Sequence, residues 1–105
     1  MIIITLRYYK NSVVGFDVVG HSEKFICSCI SFLVINTINS VDVFTKDRFM
    51  CKKNDCGHIK FSFINKKNIS YKSKVLMDSL ELGFISLEKK YKKFVCLKKE
   101  PNFIM

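Results

Sequence analysis

One stretch of this 105-residue chain holds residues whose types and spacing suit covalent chemistry: Gly20-His21-Ser22-Glu23-Lys24-Phe25-Ile26-Cys27-Ser28-Cys29-Ile30-Ser31. A thiol is a nucleophile only as thiolate, and an imidazole within hydrogen-bond reach can take its proton. His21 falls in a loop between a strand and a helix, and Cys27 falls in the first turn of that helix. There, unpaired N–H groups and the helix dipole favour an anion. The same N–H groups are placed to hold the oxyanion of an acyl-transfer intermediate. Ser31, four residues after Cys27, shares its helix face. Ser28 and Ser31 are therefore candidates for substrate binding and oxyanion support. Cys29 is turned about 200° away from Cys27 by the 3.6-residue period and is expected in the core. A single Cys and a single His are not a specific signal, since most cysteines are buried and most loop histidines are solvated.

The remaining chemistry-bearing residues point elsewhere. The five cysteines stand at positions 27, 29, 51, 56 and 96, an odd number with no evident pairing. The N-terminus lacks a basic region leading into a long apolar run, so no signal peptide is read. Apolar stretches fall short of the roughly 20 residues of a membrane span, and no membrane contact is expected. A cytoplasmic location with reduced thiols follows as the expectation. Cys51, Cys56 and His58 form a Cys-x4-Cys-x-His cluster, but structural zinc wants four ligands and no clear fourth lies nearby. Two incidental thiols beside a turn are the expectation there, with no metal or other cofactor.

The formal charge is +9, from 18 Lys and Arg against 9 Asp and Glu. That sign attracts polyanions, and ribosomal RNA or a ribosome surface would be suitable company. The cations come as short clusters, Lys52–Lys53, Lys66–Lys67, Lys89–Lys90, Lys92–Lys93 and Lys98–Lys99, where turns and solvated faces are expected. Net charge speaks to association and solubility rather than to fold.

The elements that must position the Cys and His follow from periodicity. Met1 to Tyr9, rich in Ile and Tyr, predicts a buried strand, Lys10-Asn11-Ser12 a turn, and Val13 to Val19 its hairpin partner. Ile26, Ile30, Val34, Ile38 and Val41 recur at spacings of four and three, which predicts a helix over about Phe25–Val41. Val43–Cys51 and His58–Ile64 read as a second strand pair, joined through the turn residues Asn54-Asp55-Cys56-Gly57. Leu76, Leu80, Phe84, Leu87 and Tyr91 line one side of a helix over Ser70–Lys93. Phe94–Lys98 is a last strand, and Pro101 is expected to end regular structure. The order ββαββαβ predicts an α+β fold of two layers, with two helices packed on a mainly antiparallel sheet. At this length the whole chain, residues 1–105, is expected to be a single domain with one core.

With these elements in order, the chain resembles the Prp family of ribosomal-processing cysteine proteases. In that family a hairpin ends in Gly-His-Ala, and a helix opens with a Val-Cys-Ala-x-x-Ser-like motif. Gly20-His21-Ser22 stands at the first motif and Ile26-Cys27-Ser28-Cys29-Ile30-Ser31 at the second. Asn39-Ser40-Val41 and the later segment Ser79 to Tyr91, with its Leu82-Gly83-Phe84 centre, are also similar to the family's helices. The resemblance implies a cysteine protease with Cys27 as nucleophile and His21 as general base and acid. It implies removal of the N-terminal extension of a large-subunit ribosomal protein, a homodimer, and no metal or organic cofactor. Relatives carry a longer loop between His and Cys, often with an Asp shortly before Cys. Here only residues 22–26 intervene, and Lys24 stands about where that Asp would be. A rival reading keeps the fold but makes the pair vestigial, in a module that binds ribosomal protein or RNA through its basic surface.

Overall fold

The computed structural model describes residues 1–54 and 57–101. Seven elements follow one another: β1 (Ile2–Tyr9), β2 (Ser12–Gly20), α1 (Lys24–Phe44), β3 (Phe49–Lys53), β4 (Ile59–Phe63), α2 (Tyr71–Lys90) and β5 (Val95–Pro101). The expected order ββαββαβ is present. The strands form one five-stranded sheet in the order β3-β4-β2-β1-β5, with both helices supplying the second layer of the core. Every pairing is antiparallel except β1 with β5, so the sheet is mainly antiparallel with one parallel edge.

Alternation decides which face of each strand meets the helices. Ile2, Ile4 and Leu6 of β1, Phe16 and Val18 of β2, and Ile59, Phe61 and Phe63 of β4 are all buried. Between them, Thr5, Asp17, Lys60 and Ser62 take the outer face. There Arg7 pairs with the Asp17 carboxylate and donates to the Phe61 carbonyl at 3.1 Å, tying three strands together. A register shift beside Arg7 and Tyr8 leaves Val14 without a direct partner. It allows Val13, Val14 and Phe16 all to be buried, which strict alternation would forbid. On the core side Phe16 stacks on Phe61 with centroids 5.0 Å apart, and Phe49, Phe63 and Phe84 pack around that pair.

The helices cross where glycine permits it. A Cβ on Gly83 would come within 2.7 Å of a Leu33 methyl carbon, so α2 rests on α1 through a position with no side chain. The stripe Ile26, Ile30, Val34 and Val41 is buried as its spacing predicts. By length and mean hydropathy (1.6), α1 is also apolar enough to cross a membrane, contrary to the expectation of short apolar stretches. In this fold Ile26, Ile30, Val34 and Val41 of that helix are buried in the core.

Three element boundaries differ from the sequence expectation. The third strand does not begin at Val43: α1 continues through Phe44, and β3 is only Phe49–Lys53. Val43 and Phe44 have strand propensity, but the helix ends where Thr45 closes it. The Thr45 N–H and hydroxyl both donate to the Val41 carbonyl, at 3.1 and 2.8 Å. The second helix stops at Lys90 rather than Lys93, with the Tyr91 N–H donating to the Leu87 carbonyl at 2.8 Å. The last strand runs on past Lys98 through Pro101, paired with β1 up to Tyr8. Proline is tolerated there because β5 is an edge strand, which does not need every N–H in the ladder. The turn expected over Asn54-Asp55-Cys56-Gly57 includes Asp55 and Cys56, which lie outside the described residues.

Asp47 fastens the α1–β3 connection to the start of α2. Its Oδ2 accepts from the Ser70 N–H at 3.0 Å and from the Ser70 and Ser73 hydroxyls, both at 2.5 Å. The Ser70 hydroxyl in turn accepts from the Ser73 N–H, capping α2. Burial pushes the Asp47 carboxyl up, but the serine hydrogen bonds outweigh it and hold the group below its ordinary value of 3.8. Its stabilising contribution is therefore complete above the unfolded value and is lost as pH falls through the lower folded one. Asp47→Ala is expected to cost about 1–3 kcal/mol at neutral pH. Urea denaturation should show the gap between wild type and variant closing as pH is lowered below about 4.

Candidate active site

The site begins where β2 runs out. Gly20, the last residue of β2, has φ +100°, and a Cβ on it would lie 2.2 Å from the Met1 carbonyl oxygen. Only glycine fits this close approach and this conformation. The turn directs residues 21–23 off the sheet end, and the His21 carbonyl accepts a 2.8 Å hydrogen bond from the Met1 amino group. Helix α1 then starts at Lys24 with Glu23 at its cap position, in extended backbone and with no side-chain cap.

The first hydrogen bond of α1 runs from the Cys27 N–H to the Glu23 carbonyl at 3.0 Å. The Cys27 amide is thus committed to the helix. The N–H groups with no intrahelical acceptor are those of residues 23–26, immediately ahead of the thiol. Cys27 is half-buried, and its Sγ donates to the Ser22 carbonyl at 3.4 Å. Among the described residues no hydrogen bond joins the thiol to the His21 ring. Both nevertheless line one cavity of about 160 Å³. Ile2, Val18, Ile30 and Ile59 give it an apolar floor, and His21, Cys27 and Ser31 are its polar side chains.

Of the residues singled out in the sequence, His21, Cys27 and Ser31 come together and Ser28 does not. Ser28 is exposed on α1 and does not line the cavity. Cys29 is half-buried and off the cavity, but it does not pack in the core as expected: of the two cysteines it is Cys27 that rests against the core cluster. Lys24 and Glu23 are exposed, and neither forms an ion pair among the described residues.

The sequence pattern groups His58 with Cys51 and Cys56, but in the fold its ring neighbour is His21. Its ring centroid lies 6.0 Å from that of His21, with the planes tilted by 38°. The signal was the strand register: Val18 pairs with Ile59, so the residue before Ile59 reaches the sheet end that His21 leaves. Cys56 is outside the described residues, and the reading of Cys51, Cys56 and His58 lies there with it. Among the described residues, no group of three or more His, Cys, Asp or Glu side chains is arranged to hold a metal ion.

A half-buried thiol at the uncapped start of a helix, with an imidazole and a hydroxyl around one apolar-floored cavity, has the parts of a thiol acyl-transfer centre. Comparison with known proteins points the same way. Residues 1–96 match the family described as cysteine protease Prp. No curated protein sequence matches the chain. Among solved structures, the essential ribosomal processing protease Prp from S. aureus, in complex with a covalently linked product peptide, is similar at TM-score 0.85. It is 16% identical, with 95% of this chain and 100% of that one covered. The same protease with a substrate peptide is similar at TM-score 0.86, again at 16% identity and covering 95% and 100%. The protein SMU.848 from Streptococcus mutans has TM-score 0.84 and 22% identity over 97% of this chain and 99% of its own.

The turn at Gly20 gives a direct test of how the site is positioned. Gly20→Ala must strain φ or push the Met1 backbone away, so it is expected to destabilise the fold by about 1–3 kcal/mol. Thermal and urea denaturation would measure the loss, and an unchanged stability would show that the turn is not constrained as described.

Proposed function

The chain belongs to the family of the cysteine protease Prp, and from that premise we propose that it is an endopeptidase with Cys27 as nucleophile and His21 as general base and acid. The observation that carries this assignment is the single cavity shared by His21, Cys27 and Ser31 at the start of α1. His21 takes the Cys27 proton, and the thiolate attacks the scissile carbonyl carbon. The N–H groups of the first turn of α1 and the Ser31 hydroxyl steady the resulting oxyanion. Ser28, exposed on the next position of the helix, would contact substrate outside the cavity. The imidazolium then protonates the leaving amine as the C–N bond breaks, leaving a thioester on Cys27. Water, deprotonated by His21, attacks the thioester, and the acid product leaves as the thiol is restored.

In the resting arrangement the thiol proton points to the Ser22 carbonyl. Rotation of the Cys27 side chain must bring it to His21 before the first step. The apolar floor suits an extended peptide that presents an apolar or aromatic side chain at the cleaved bond. The proposed substrate is the N-terminal extension of a large-subunit ribosomal protein. This is supported by the S. aureus neighbour, a ribosomal processing protease seen with substrate and product peptides. We further propose a cytoplasmic enzyme that needs no cofactor and acts as a homodimer. The exposed Phe32, Ile35, Leu82 and Ile85 on the outer faces of the two helices support the dimer. The basic surface suits work near ribosomal RNA.

The test is cleavage of a peptide spanning the N-terminal junction of the source organism's own ribosomal precursor. Cys27→Ala is expected to lower kcat by at least about 10³-fold with the melting temperature unchanged, whereas Cys29→Ala stays within about two-fold of wild type. Full activity in the Cys27 variant would sink the assignment. No cleavage by the folded wild type, together with salt-sensitive association with ribosomal particles, would favour the binding-module reading instead.

A further inference from the structure

The two histidines of the chain come from distant segments to one end of the sheet, and nothing in the proposed chemistry uses the second. We propose that His58 is a positioning residue: its ring packs against His21 and holds the imidazole in the orientation from which it reaches Cys27. The inference rests on the assignment of His21 as the base.

His21 needs such support. It is exposed, and no hydrogen bond to its ring is present among the described residues. Only its main-chain carbonyl is tied, to the Met1 amino group. A base with free side-chain torsions loses much of its effect, since catalysis by proton transfer depends on a held geometry. His58, by contrast, is half-buried and its backbone is fixed. Its N–H donates to the Asn54 side-chain oxygen at 3.1 Å, and its carbonyl accepts from the Asn54 N–H at 3.1 Å. The Gly57 N–H donates to the Asn54 carbonyl, also at 3.1 Å. On the other side of His58, Ile59 is buried and paired with Val18, two residues before Gly20. The ring separation of 6.0 Å lies in the range where aromatic rings attract one another. The ring carried on the fixed backbone of the half-buried His58 therefore limits the freer one of exposed His21. His21 and Cys27 border one face of this contact through the cavity. His58 itself borders a second depression on the open side of the sheet, with Asp17, Lys52, Lys53 and Lys60. His58 does not line the cavity that His21 and Cys27 share.

The experiment compares wild type, His58→Ala and His58→Phe, with folding checked by melting temperature. Two measurements are made: kcat and KM on the precursor peptide, and the His21 side-chain rotamer from NMR three-bond couplings in the Cys27→Ala background. Loss of the ring in His58→Ala should lower kcat about ten-fold with KM within about two-fold, and His21 should change from one rotamer to an average. His58→Phe keeps a ring at the same place and should recover most of kcat and the single rotamer. A single unchanged His21 rotamer in His58→Ala would overturn the proposal, as would equal losses of kcat in the two variants. The NMR measurement needs no turnover. If no variant cleaves the peptide, the protease assignment fails, and the rotamer still decides the role of His58.

Discussion

The pairing of β2 with β4 is the constraint on which the site depends. β4 is separated from β2 in the chain by α1 and β3, yet it inserts beside β2 in the sheet. Its register is held by direct partners on the core face, Phe16 with Phe61 and Val18 with Ile59. Phe16 and Phe61 are both fully buried and stacked. Burying each such side chain contributes about 1.5–3 kcal/mol, and an aromatic pair adds about 0.5–1.5 more. A slip by one residue would turn Ile59, Phe61 and Phe63 to solvent and Lys60 into the core. With the register held, the exit of β2 and the entry of β4 must share one end of the sheet. The His21 loop, the start of α1 and His58 are brought to that end by this pairing, and the Gly20 turn then sets the path of residues 21–23.

The two helix starts show how differently the same fold treats its backbone donors. At α2, Ser70 caps the helix and Asp47 binds Ser70 and Ser73. At α1, Glu23 offers no side-chain cap, although a capping residue typically contributes about 1 kcal/mol. Leaving that stabilisation aside keeps the amide groups ahead of Cys27 available to an anion. Such groups are useful only if they face the reacting atoms, and the thiol lies one turn into the same helix. The apolar floor beneath it lowers the local dielectric, which strengthens each of these interactions with developing charge. The start of α1 is less stable than a capped one, at the place where the proposed chemistry would use free amide groups.

Much of this was legible in the residue pattern. The alternation of Ile59, Phe61 and Phe63 with Lys60 and Ser62 in β4, and the four-and-three spacing of Ile26, Ile30, Val34, Ile38 and Val41, report which faces are buried, because burial is what those periods encode. The cavity with His21, Cys27 and Ser31 followed from a strand, a break and a helix in immediate succession. Three things were not legible. Val43 and Phe44 looked like strand because their propensity is local, while the end of α1 is decided by Thr45 closing on the Val41 carbonyl. The parallel docking of β5 on β1, which carries that strand through Pro101, depends on a crossover that no local period records. His58 was hidden because its neighbour is set by the β2–β4 register, a tertiary fact. Ser28, next to the thiol in sequence, lies off the cavity because adjacent residues on a helix do not share a face.

The most direct test of the account is to ask which thiol reacts with a peptide-like electrophile. The folded protein would be treated with a peptidyl chloromethyl ketone carrying an aromatic residue, and the adduct mapped by mass spectrometry across all five cysteines. One adduct is expected, on Cys27, formed much more slowly when His21 is replaced by alanine. Labelling spread over the other cysteines, or a Cys27 adduct that forms equally fast without His21, would contradict it.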